Sequence, residues 1–160
     1  MQVLESTVNP QSDDFRANAE VMEAHIATFR DVEQKVLDLA EAAREKFIKR
    51  GKLLPRDRIN RLLDRGTPFL ELCSLAGYKM HDDKDGTEAG GSTIAGIGYV
   101  SGVRCLVTAS NSAIKGGTIS PSGLHKTLRL QRIALENKLP VVSLVESGGA
   151  NLNYAAEVFV

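Results

Sequence analysis

A chain of 160 residues, 42% hydrophobic and 25% charged, has the length and composition of one globular domain with a core of its own. Its twenty basic and twenty acidic side chains cancel, so the charge balance favours neither nucleic acid nor an anionic membrane as a partner, and no apolar run approaches the roughly 18 residues of a membrane span. The N-terminus has neither a signal-peptide pattern nor the Arg-rich, acid-poor make-up of a transit peptide. Cys73 and Cys105 lie far apart and read as reduced packing residues, so a cytoplasmic protein is expected.

Residues 1–11 read as a flexible arm. Ser12, followed by Asp13 and Asp14, is a good N-cap. From there Phe15, Ala19, Met22, Ile26, Phe29, Val32, Val36, Ala40, Ala43 and Phe47 recur every three or four positions, which predicts a long amphipathic helix to Arg50, ended by Gly51. So long a stripe exceeds what a small domain can cover. It is expected to pack on another subunit or domain, the alternative being a solvent-flanked helix. Leu54-Pro55 opens a shorter helix to about Asp64, and its bases Arg56, Arg58 and Arg61 have Asp57 and Asp64 for partners on a solvated face. Residues 12–66 thus form a helical segment, and 67–160 a separate unit.

Phe69 to Leu75 predicts a short strand, and Lys79 to Gly91 an exposed polar loop. His81, Asp83, Asp85 and Gly86 in that loop look like a calcium loop, but His replaces the first acid and Ser92 stands where the bidentate Glu belongs. No Cys/His cluster has zinc spacing, and no metal site is predicted. Ser92 to Ser110 reads as a hairpin turning at Ser101-Gly102. Its glycines 96, 98 and 102 come one residue off the dinucleotide fingerprint and lead into a strand where that site needs a helix, so a nicotinamide reading fails on context.

Lys115-Gly116-Gly117-Thr118 presents backbone N–H groups beside a cation, without the residue order of a P-loop. Ser120-Pro121 starts a helix to about Asn137, with Leu124, Leu128, Ala134 and Leu135 predicted inward and Lys126, Arg129 and Arg132 outward. Leu139 to Val145 follows as an apolar strand, predicted to be buried on both faces, and strand–helix–strand implies parallel pairing. Gly148-Gly149 then reads either as a tight turn or as a site where a ligand reaches the backbone N–H groups at the start of a further helix. Because parallel pairing would bring Gly116-Gly117 and Gly148-Gly149 to the same side of one sheet, the site is the stronger reading.

Four stretches in this order resemble a known family: Arg50-Gly51-Lys52-Leu53-Leu54-Pro55-Arg56-Asp57-Arg58-Ile59, Gly96 to Gly102, Lys115 to Thr118, and Val145-Glu146-Ser147-Gly148-Gly149-Ala150-Asn151-Leu152. They are similar to the motifs of the carboxyltransferase (β) subunit of biotin-dependent acyl-CoA carboxylases. The resemblance implies an α/β fold of crotonase-like (ClpP-like) type, built of β-β-α units, incomplete here and preceded by the long helix. Residues 67–160 would be the first part of its acyl-CoA-binding domain, in a longer protein. It also implies carboxyl transfer from carboxybiotin to an acyl-CoA through an enolate, stabilised by the backbone N–H groups of Gly148 and Gly149 as catalytic groups. Lys115, Gly116, Gly117, Thr118, Ser147 and Ala150 would border the coenzyme A part of the substrate. The biotin cofactor would arrive on a partner α subunit, which carries biotin carboxylase and biotin carrier, and β subunits would form a homo-oligomer. Glu146 stands where many members have Asp, and Asn151-Leu152 points to the methylcrotonyl or geranyl branch.

Two other readings remain. A crotonase-type hydratase, isomerase or thioesterase would share the oxyanion geometry but needs a carboxylate base, for which Glu146 is the acid next to the site. Alternatively, the chain is a non-catalytic assembly module docked through its long helix. The isolated fragment is expected to be inactive.

Overall fold

A mixed four-stranded sheet in the order β1-β2-β3-β4 organises the computed structural model, which describes residues 5–81, 83–146 and 148–159. Its centre is the predicted hairpin, β2 (Thr93–Val100) with β3 (Val103–Ser110), in register from Thr93 opposite Ser110 to Val100 opposite Val103. The two-residue turn works because Ser101 and Gly102 both take left-handed backbone, φ 51° and 78°. The Asp64 carboxylate accepts from both turn N–H groups, at 2.8 and 2.7 Å. Asp64 is therefore a clamp on the hairpin and not a partner for the neighbouring arginines. β1 (Leu70–Glu71) is shorter than the predicted strand and pairs antiparallel with β2.

α4 (Pro121–Glu136) carries the chain from β3 to β4 (Val141–Leu144), which pairs parallel with β3 as expected. α3 (Pro55–Leu62) covers one face of the sheet: Ile59 packs with Ile94, Cys105, Val107 and Ala109. On the other face, Leu130 and Ala134 of α4 pack with Ala95 and Leu106. The strand glycines serve this packing. A Cβ at Gly98 would lie 2.6 Å from Leu63, and one at Gly96 2.6 Å from the Leu70 carbonyl oxygen, so β2 is bare where Leu63, Phe69 and β1 press on it.

The N-terminal helix is divided. α1 (Asp13–Ala42), capped by the Ser12 hydroxyl, ends at Ala43, and α2 (Arg44–Lys49) continues to the left-handed Gly51. Only Val36, Ala40 and Phe47 of the two helices are buried, and Phe15, Met22, Ile26 and Phe29 stay exposed. Of the α3 arginines, Arg61 is exposed, but Arg56 and Arg58 are not part of a solvated face. Arg56 reaches Glu71 at 2.7 Å, Arg58 reaches Glu146 at 3.5 Å, and Asp57 receives Arg44 at 2.7 Å.

Several expectations are corrected. β4 is an edge strand with Val141 half exposed, because β3 flanks it on one side and no described strand on the other. In the Lys79–Gly91 loop, Asp83 is buried and accepts from the Lys79 and Glu88 N–H groups, so the loop folds around its carboxylate. Cys105 is buried but Cys73 is exposed. On α4, Leu128 and Leu135 face outward, whereas Lys126 is 3% exposed. Its Nζ donates to the carbonyl oxygens of Gly90 (3.0 Å) and Thr93 (2.6 Å). Burial pushes its ammonium down from 10.5 to about 8, with Glu71 opposing.

Two measurements check this packing. Gly96→Ala is expected to cost about 1–3 kcal/mol in chemical unfolding, because the β1 carbonyl has nowhere to retreat; an unchanged midpoint would contradict the β1–β2 contact. For Lys126, the unfolded chain binds more protons than the folded one between pH 8 and 10.5, so stability rises with pH across that window, by up to about 3 kcal/mol. Unfolding midpoints at pH 7.5 and 9.5 read this directly.

Candidate functional site

Parallel strands release their C-terminal ends on one edge of a sheet, where ligands of α/β folds collect. β3 leaves this edge into the Lys115–Gly117 turn and β4 into Glu146–Asn151. The two connections are then laced together. Ile119 N–H donates to Gly149 O at 2.8 Å, Asn151 N–H to Ile119 O at 2.9 Å, and Ile119 pairs with Ala150 in a parallel bridge. The Ser110 hydroxyl accepts from Glu146 N–H at 3.1 Å, anchoring the second turn to the end of β3.

Glycine is required where these turns touch. A Cβ on Gly148 would stand 2.9 Å from Gly116 O and 3.0 Å from Thr118 Oγ1, and one on Gly117 would stand 2.7 Å from Glu146 O. Gly149 differs, for its backbone is left-handed at φ 90° and a Cβ there would meet nothing within 4 Å. Its outer side is open to an approaching group. Lys115, Gly116 and Gly117 are all left-handed, at φ 44°, 65° and 72°, and the Thr118 hydroxyl closes the turn onto Lys115 O at 2.8 Å.

The structure therefore brings Lys115, Gly116, Gly117 and Thr118 together with Gly148, Gly149 and Ala150. Ser147 lies outside the described residues. After Asn151 the chain forms a 3-10 turn, Leu152–Tyr154, and then α5 (Ala155–Val158), so the expected helix begins at Ala155 and not directly at Gly149.

Three clefts meet this edge. One of about 250 Å³ lies between α4 and the sheet, lined by Leu106, Gly117, Ile119, Leu130, Leu144 and Val145 among others. A small one of about 50 Å³ has Lys115, Thr118 and Asn151 in its wall, with His81 edge-on to Tyr154 at 5.3 Å. The third, about 480 Å³, runs between α2 and the Lys115–Gly116 turn and collects Lys46, Arg50, Lys52 and Lys115 around Glu146. Lys115 Nζ is also tied to Glu88 at 2.5 Å.

Glu146 is spoken for. Lys52 Nζ donates to it at 2.6 Å and Arg58 stands at 3.5 Å. The Lys52 hydrogen bond holds its carboxyl below the usual range, overcoming the opposite effect of burial. Sequence reasoning missed Lys52, Arg58 and the Lys46–Arg50 wall as parts of this edge, since Lys52 and Glu146 are 94 positions apart. Among the described residues no group of three His, Cys, Asp or Glu side chains is arranged to hold a metal ion, and no helix is long and apolar enough to cross a membrane.

Residues 46–160 match the family described as the carboxyl transferase domain. The chain is 44% identical over 158 residues to a probable methylcrotonoyl-CoA carboxylase β chain, mitochondrial, of Drosophila melanogaster, covering 98% of this chain and 27% of that protein. It is 50% identical over 119 residues to a 3-methylcrotonyl-coenzyme A carboxylase β1 subunit of Mycobacterium tuberculosis, covering 74% and 22%. Among solved structures, the β subunit of P. aeruginosa geranyl-CoA carboxylase superposes with TM-score 0.86 at 65% identity over 99% of this chain and 29% of that one. The transcarboxylase 12S hexamer, at TM-score 0.72 and 21% identity, shares the fold, covering 86% and 28%. The chain thus spans 22–29% of the length of these relatives.

The two glycines of the second turn are expected to respond differently. Gly148→Ala should push the turns apart and speed amide exchange at Ile119 and Asn151 by about tenfold or more, equivalent to about 1.4 kcal/mol of local opening. Gly149→Ala meets no neighbour but puts a side chain on left-handed backbone at φ 90°, a strain of about 1 kcal/mol that should quicken those amides by less than about tenfold.

Proposed function

Starting from the fact that the chain belongs to the carboxyl transferase family, we propose that it works in the carboxyltransferase (β) subunit of a biotin-dependent acyl-CoA carboxylase, transferring a carboxyl group from carboxybiotin to an acyl-CoA. The observation that carries this reading is the pair of laced turns at the C-terminal ends of β3 and β4, with open space where a Cβ of Gly149 would point. Carboxylation requires a carbanion next to a thioester or conjugated with it, and its charge is delocalised onto the thioester oxygen. Fixed N–H donors at Gly148 and Gly149 would stabilise that oxygen more in the transition state than in the ground state.

Residues 67–160 supply the first part of the acyl-CoA-binding domain in this reading, with 12–66 as its helical preface. Lys115, Gly116, Gly117, Thr118, Ser147 and Ala150 border the coenzyme A portion. The adjoining cleft suits its phosphates, since Lys46 and Arg50 face it without an acidic partner among the described residues. Biotin, carried by a partner α subunit, supplies the carboxyl group and the base. That division agrees with a site made of backbone. A homo-oligomer of β subunits would cover the exposed Phe15, Met22, Ile26 and Phe29 of α1. For the acyl group we favour the branched, unsaturated class, methylcrotonyl or geranyl, on the Asn151-Leu152 pattern and the 65% identity with a geranyl-CoA carboxylase subunit. We place the protein in the cytoplasm.

The hydratase or thioesterase reading needs Glu146 as a proton acceptor. A carboxylate bound by Lys52 and Arg58, with its affinity for protons lowered, is poorly suited to that work. The test is loss of carboxyl from a panel of carboxylated acyl-CoAs in the complete subunit, with and without free biotin, for the wild type and Glu146→Gln. Biotin-dependent loss is expected, fastest for the methylcrotonyl or geranyl derivative, and Glu146→Gln should lower kcat by less than about tenfold. Biotin-independent thioester turnover that Glu146→Gln reduces by about 100-fold or more, as loss of a general base does, would replace this reading.

A further inference from the structure

Among the described residues Lys126 is the one buried cation, and no carboxylate stands within ion-pair distance of it. The groups that bear on its charge are Glu71, Cys73 and Arg56, across the packing of β1 and α3. Burying an ammonium without a counter-ion is costly, whereas an apolar side chain of similar shape would pack against β2 at no such cost. What the ammonium does is hold two carbonyls. Gly90, Gly91 and Ser92 are all left-handed, with φ 103°, 60° and 53°, and this reversed turn aims the Gly90 and Thr93 oxygens at α4. The fit is tight, for a Cβ on Gly91 would lie 2.9 Å from Gly123 Cα and one on Gly123 2.5 Å from Gly91 O.

From this turn a backbone relay runs to the site. Asn111 N–H donates to Ser92 O at 2.8 Å, Ile114 N–H to Asn111 O at 3.0 Å, and Gly117 N–H to Ile114 O at 2.9 Å. Gly117 then abuts Glu146 O, and Gly116 O abuts Gly148. We propose that Lys126 is a positioning residue, whose two hydrogen bonds fix the Gly90–Thr93 turn and, through Ser92, Asn111 and Ile114, set the Lys115–Thr118 turn against Gly148. A buried lysine with a depressed proton affinity can also serve as a reactive base. Here its Nζ is occupied by carbonyls and is not among the residues lining any of the three clefts.

The test compares Lys126→Met, which keeps the apolar stem, and Lys126→Gln, which keeps a shorter donor, with the wild type in the complete subunit. Residue-resolved amide exchange at Ile114 and Gly117 is expected to quicken by about tenfold or more in both variants, while Ile97 and Leu106 in the hairpin stay within about threefold. In carboxyl transfer, kcat should fall by about tenfold or more and the KM for acyl-CoA should rise, since the Lys115–Thr118 turn both borders coenzyme A and backs Gly148. This activity arm rests on the proposed carboxyltransferase reading; the exchange arm does not, so the two can fail separately. Exchange that quickens equally throughout, or not at all at Ile114 and Gly117, would reduce Lys126 to a general packing residue. Failure of both variants to fold would overturn the proposal as well, because Lys126 would then support the whole sheet instead of one turn.

Discussion

Parallel pairing of β3 with β4 is the constraint on which the rest depends. An antiparallel partner would send the second turn to the far end of the sheet, whereas α4 returns the chain so that both strands end on one edge. Two glycine turns remote in sequence then share a surface. Once they do, main-chain atoms lie where side chains would collide, and Gly117 and Gly148 become steric necessities. Gly149 has a different reason, since it is left-handed and its outer side is clear. This edge is thus made by backbone, and a backbone held by packing is set before any ligand arrives.

Charge on this protein is used to join elements. Arg44–Asp57 ties α2 to α3, Arg56–Glu71 ties α3 to β1, and Lys52 and Arg58 converge on Glu146 beyond β4. These pairs are partly exposed, so water screens them and their contribution to stability is small. Their consequence is mainly geometric. They place the basic wall of α2 beside the Lys115–Gly116 turn, and they commit the one acid beside the glycine turn to holding that wall. A carboxylate so engaged is a strut, poorly suited to accept a proton.

The hairpin was legible in the sequence because alternation, β-branched residues and a Ser-Gly turn all agree. The parallel return through α4 followed from strand–helix–strand order, and the shared edge of the glycine turns followed from that. Pattern reading failed where a residue's burial depends on what lies across the sheet. The charge of Lys126 points it outward, although carbonyls of a left-handed turn wait for it inside; the hydrophobicity of Leu128 and Leu135 points them inward, although α4 presents Leu130 and Ala134 to β2 and β3. Asp64 and Glu146 drew their partners from 37 and 94 positions away, which no local spacing encodes. The glycines at 96 and 98 carried a true signal of close approach, and the approaching groups are Leu63, Phe69 and β1 of the chain itself.

A site made of main chain has a particular weakness and a particular strength. Its donors cannot be deleted by replacing a side chain, so their geometry depends on whatever holds the backbone in its left-handed path. In this protein those supports are Ser110 beneath Glu146, the Ile119–Ala150 bridge, and the relay from Lys126 through Asn111 to Gly117. The residues around the donors are correspondingly free of that duty. Asn151, Leu152 and Asn153 stand beyond the bridge, Leu152 and Asn153 with exposed side chains, and can change without disturbing the glycine turns. In the proposed reading, specificity and charge stabilisation would fall to separate residues of one short segment, with the glycines fixed by packing.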